Sequence, residues 1–140
     1  MSDVKIVAAQ QDQSKADKTH TRDALGLLKS KKRKTSELLI NVNDEQLVLK
    51  FQAISAVELD KLRAKHPPTK VQQANGQGIN FETFQPALVA ATLIDPEMSE
   101  DDAREMWASD YWSSGELMQI FEAASDVCLA GLDVPQSASV

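Results

Sequence analysis

The chain has little of several residue types, and each shortage excludes something. There is one cysteine, Cys128, so no intramolecular disulfide can form, which fits a reducing compartment. There are two histidines, His20 and His66, far apart in sequence. A metal site would need more ligands at suitable spacing, so none is assigned. No apolar run approaches the roughly 18 residues of a membrane span, and Met1 is not followed by a basic region and an apolar block of the secretory kind. A soluble cytoplasmic protein is the expectation. No nucleophile–base pair, phosphate-binding glycine loop or metal cluster is visible, so a non-enzyme without cofactor or metal is expected.

Glycine is also scarce where it would count. Asp95, Glu97, Glu100, Asp101, Asp102 and Glu105 superficially suggest a calcium loop. Such a loop needs a central glycine, and none lies between Asp95 and Gly115. Helix capping plus a solvated face accounts for these acids.

What is present is charge of unequal distribution on a chain of one-domain length. The 140 residues carry a net charge of −6. Residues 1–35 hold nine Lys/Arg against four Asp/Glu, whereas residues 36–140 hold six against seventeen. Residues 1–35, poor in large apolar side chains, read as a disordered basic tail in which residues 23–28 can form a transient helical turn. The tail ends in Lys29, Lys31, Lys32, Arg33 and Lys34. These read either as a solvated linker or as a patch for nucleic acid or another acidic partner. The acidic remainder would repel phosphates, so nucleic acid binding by the folded part is disfavoured.

Residues 36–131 read as a single α+β domain, a β-hairpin on a bundle of about four short helices, followed by a loose end over 132–140. Leu38, Ile40 and Val42, then Leu47, Leu49 and Phe51, alternate with outward positions, and Asn43-Asp44 supplies the turn. Ser55 with Glu58 is a capping box that starts one helix, which the Pro67-Pro68 pair ends. Residues 66–80 read as a loop, either functional or simply mobile. A second helix is expected from Thr83 to Ile94, capped by Thr83 with Pro86 in its first turn. Ser99 and Ser113 start a third and a fourth. Trp107, Trp112 and Phe121 are candidates for the core, or for an aromatic groove that takes a partner helix.

Read in order, several segments carry a family likeness. They are Ile54-Ser-Ala-Val-Glu-Leu-Asp60, His66-Pro-Pro-Thr69, Phe81-Glu-Thr-Phe-Gln-Pro-Ala-Leu88, Asp95-Pro-Glu-Met-Ser-Glu-Asp-Asp-Ala103, Trp112-Ser-Ser-Gly-Glu-Leu117 and Phe121-Glu-Ala-Ala124. In that order and spacing the chain resembles the tail assembly chaperones of long-tailed bacteriophages, especially those of actinobacterial hosts, over residues 36–130. The resemblance implies a non-enzymatic factor of the host cytoplasm that binds the helical tape measure protein. It would keep that protein soluble while the tail tube polymerises, and would be absent from the finished particle. That family often makes a longer frameshifted product that can recruit tube protein, which makes tube protein a second candidate partner, and multivalent binding favours self-association. On this reading Phe81, Phe84, Leu88, Trp107, Trp112, Leu117 and Phe121 are expected to contact the client. The alternative is a nucleic-acid adaptor using Lys29, Lys31, Lys32, Arg33 and Lys34.

Overall fold

The computed structural model describes residues 23–135. The tail residues 1–22 with His20, and the end residues 136–140, lie outside the described residues. Two compact units divide between Lys32 and Arg33. In the first, residues 23–29 are helical, with Leu25, Leu27 and Leu28 all exposed. The described residues of this helix bury no apolar face.

The second unit is α+β. Strand β1 (Thr35–Val42) and strand β2 (Glu45–Gln52) form an antiparallel hairpin in which Leu38 faces Leu49 and Leu39 faces Val48. The two-residue turn holds Asn43 and Asp44 at φ 51° and 67°, the left-handed region that these residue types tolerate. Helix α1 (Ala56–Ala64) carries the Ser55–Glu58 capping box. It is followed by α2 (Lys70–Ala74), α3 (Phe81–Thr92), β3 (Leu93–Asp95), α4 (Glu100–Ala108) and α5 (Ser114–Leu129). Strand β3 joins the free side of β2, so the sheet order is β1-β2-β3.

Three details differ from the sequence reading. The unit holds five helices among the described residues, because residues 66–80 contain α2. The Thr69 hydroxyl accepts from Gln72 N, and the Gln72 side chain accepts from Thr69 N, a capping box inside a proline- and glycine-rich stretch. Helix α3 starts two residues early, at Phe81 after Asn80, so Pro86 stands sixth instead of in the first turn. Pro86 cannot donate to the Glu82 carbonyl, and Glu82 is an exposed residue where water can serve it. Finally, α3 ends at Thr92, because Leu93 and Asp95 are drawn into pairing with Phe51 and Lys50 of β2.

Helix α3 is the interior element. Phe84, Pro86, Ala87, Leu88, Val89 and Thr92 are all buried, as expected of a helix covered on most sides. The Thr92 hydroxyl donates to Leu88 O at 2.8 Å, so its polar atom is satisfied. Around α3 lie Leu49 and Phe51 of β2, Leu59 of α1, and Ile120, Ala124 and Val127 of α5. Each large buried side chain stabilises the fold by roughly 1.5–3 kcal/mol.

Candidate functional site

The first turn of α3 is held from outside the helix. Asn80 makes no side-chain cap, but its N–H donates to His66 O at 2.9 Å and its Oδ1 accepts from Gln72 Nε2 at 3.1 Å. The Thr83 hydroxyl, expected to cap the helix, instead donates to Asn80 O and lies 2.9 Å from His66 Nδ1. The hydroxyl thus joins the first turn of α3 to the imidazole of His66, with the His66 tautomer setting which atom donates. The segment after α1 and the capped turn α2 thus fix where α3 begins, and with it where Phe81 stands.

Phe81 packs edge-on against Phe121 of α5, with ring centroids 6.4 Å apart and planes at 89°. Phe84 meets the same Phe121 ring at 6.4 Å, and His66 meets Phe84 at 6.1 Å. These are the edge-to-face arrangements that ring quadrupoles favour. The cluster grades from inside to outside: Phe84 is buried, Phe121 half-buried and Phe81 42% exposed. Met118, one turn before Phe121 on α5, is 41% exposed. Phe81 and Phe121 therefore bring an apolar ridge to the seam of α3 and α5, and Met118 continues it along α5 by its three-residue spacing from Phe121. Exposed Glu82 and Glu122 are their chain neighbours.

The residues expected to contact a client do not form one surface. Phe84, Leu88 and Leu117 are core residues, covered by the fold itself. Their side chains lie in the interior. Trp107 is half-buried, and its Nε1 donates to Gln85 Oε1 at 3.0 Å, which ties α4 to α3. Trp112 borders a cleft of about 320 Å³ by the hairpin tip, lined also by Asn41, Val42, Asn43, Tyr111 and Glu116. Only Phe81 and Phe121 of the expected set reach the ridge. Met118 lies outside the expected set. Its signal was its spacing: three residues before Phe121, one step outside the Leu117–Ile120–Ala124 stripe.

The electrostatics outside the ridge are acidic. Glu100, Asp101 and Asp102 occupy the first turn of α4, where the helix dipole favours them, and Asp102 completes a box with Ser99. Arg104 pairs with both Glu100 and Asp101. Glu58 titrates below the ordinary carboxylate range, chiefly because its carboxylate accepts from Ser55 N, with Arg33 nearby adding to the effect. Of the tail bases, Lys29, Lys31 and Lys32 are exposed in the first unit. In the second unit Arg33 pairs with Glu58 at 3.0 Å and Lys34 with Asp133 at 2.9 Å. Among the described residues no three of His, Cys, Asp and Glu gather as a metal site, and no helix is long and apolar enough to cross a membrane.

Comparison with protein-family models, curated proteins and solved structures finds no match to this chain.

Proposed function

We propose that this protein is a non-enzymatic phage tail assembly chaperone that holds the helical tape measure protein in solution before the tail tube closes around it. The observation that carries the reading is the ridge of Phe81, Met118 and Phe121, an apolar strip open to water on a strongly acidic body. A strip at a helix–helix seam suits an amphipathic helix, whose anchors recur at three- and four-residue spacing. Met118 gives such a surface tolerance for different side chains, since an unbranched thioether repacks easily. The acidic exterior keeps the loaded complex dispersed and favours clients with basic flanks. The sequence resemblance over residues 36–130 names the client class, and it extends the proposal to tube protein as a later partner, to action in the host cytoplasm and to absence from the virion.

The nucleic-acid alternative has less support. Of its five bases, Arg33 and Lys34 stand on the acidic folded unit, whose charge repels phosphates.

Binding is tested with a synthetic peptide from an apolar seam of a tape measure protein. Fluorescence of Trp107 and Trp112, with anisotropy of the labelled peptide, should report saturable binding by the wild type. Phe81→Asp should weaken it at least roughly tenfold, as loss of a central aromatic anchor does. Equal affinity for both proteins removes the ridge from the account.

A further inference from the structure

The two edges of the sheet are built differently. Strand β3 has three residues, a register irregularity against Lys50 and Phe51, an acidic Asp95 and a following Pro96. Shortness, a bulge, charge and proline are the usual means of blocking further pairing. Strand β1 has none of the structural ones. It is eight residues long, pairs with β2 without a break, contains no proline and has one charged residue, Glu37.

The register shows which backbone groups of β1 are open. In a hairpin with a two-residue turn, Val42 and Glu45 are a hydrogen-bonded pair, so residues 36, 38 and 40 also bond toward β2. Ala53 N donating to Lys34 O at 2.8 Å confirms the parity. Thr35, Glu37, Leu39 and Asn41 therefore aim N–H and C=O away from β2, and among the described residues no backbone partner meets them. Midway along this edge Leu39 is 58% exposed, and its cross-strand neighbour Val48 is 47% exposed on the same outer face.

We propose that β1 pairs antiparallel with β1 of a second copy about a two-fold axis at Leu39, making one six-stranded sheet. This register is self-complementary. Leu39 meets Leu39 and Leu38 meets Ile40, so apolar residues meet on both faces. Glu37 falls opposite Asn41 and not opposite another Glu37. The basic end of the strand, Arg33 and Lys34, comes alongside the partner's acidic turn at Asp44 and Glu45. Arg33 and Glu58 are half-exposed and Asp133 is almost fully exposed, so the present pairs hold the two bases weakly. On the outer face Val48 and Leu39 of each copy become one continuous apolar strip, each side chain shielded in part by its new neighbour. Beneath the sheet α5 packs against both β1 and β2. The two-fold axis sets the second α5 roughly 10 Å away, from a strand spacing of about 4.8 Å, and that is a helix-packing distance. The inference does not depend on the identity of any client.

Sedimentation of the full chain at micromolar to high-micromolar concentration should show a dimer. Leu39→Lys places like charges at the axis and should raise the dissociation constant at least roughly tenfold. Leu39→Pro removes only an outward N–H and should also yield monomer, with circular dichroism and thermal midpoint checked for each variant. In a Cys128→Ser background, oxidised Leu39→Cys should cross-link, because a hydrogen-bonded pair has Cα atoms about 5.5 Å apart, within disulfide reach. Glu37→Cys should not, because its copies lie roughly 13 Å apart along the strand. A wild-type monomer across the range, a dimer unchanged by Leu39→Lys, or equal cross-linking of both cysteine variants overturns the proposal. So does a monomer that takes up an extended foreign peptide on this edge.

Discussion

Phe81 and Phe84 stand three residues apart on α3, touch the same Phe121 ring and occupy opposite environments. Truncating the buried one leaves a cavity, so Phe84→Ala should cost about 3–5 kcal/mol in urea denaturation. Phe81→Ala removes a ring that is 42% exposed and should cost clearly less, about 1–2 kcal/mol, while still weakening client binding. Glu58 gives a second prediction at this scale. Its carboxyl titrates below its usual range in the folded state, through Ser55 N and Arg33. A depressed folded value means that the contribution is present above the unfolded pKa and lost as pH falls through the folded one. Wild type should thus exceed Glu58→Gln in thermal midpoint at neutral pH, and the gap should close on acidification below the carboxylate range. A gap independent of pH would contradict this assignment. Residue environments were the least legible part of the sequence. Helical periodicity marks Phe81, Phe84, Leu88, Leu117 and Phe121 alike as apolar-face positions. Only tertiary packing decides which of them faces the interior and which stands at the seam.

At the scale of elements, local chemistry was readable wherever a side chain closes its own bond. The boxes at Ser55, Ser99 and Ser113 start α1, α4 and α5 where their spacing indicates, and the Asn43-Asp44 turn sets the hairpin register. The box at Thr69 follows the same rule, but the prolines and glycines around it masked a five-residue helix. Strand β3 and the start of α3 were illegible for another reason. Leu93 and Ile94 fit a helical period as well as a strand. What turns them to strand is the free edge of β2, and what starts α3 is a backbone bond from Asn80 to His66. The caps lead to a graded expectation. Ser113→Ala should lower unfolding free energy by about 1 kcal/mol, because α5 is part of the core. Thr69→Ala should move global stability much less, since α2 buries no residue, and should instead raise hydrogen exchange across residues 70–80. Equal global losses from both would mean that α2 belongs to the cooperative core.

For the molecule as a whole, composition gave the sign of the surface, and folding gave its pattern. Between Glu97 and Asp133 the sequence has ten acids and one base, Arg104, and that base is paired. A body of this charge should stay dispersed while it carries apolar cargo, and the ridge of Phe81, Met118 and Phe121 is where the cargo would sit. The most direct measurement is co-expression with a long coiled-coil tape measure protein, scored by that protein's soluble yield and its co-purification. Wild type should raise the soluble fraction and co-elute with the tape protein, and a folded Phe81→Asp/Met118→Asp variant should do neither. A tape protein equally insoluble with and without this chain, and no co-elution, would contradict the chaperone account.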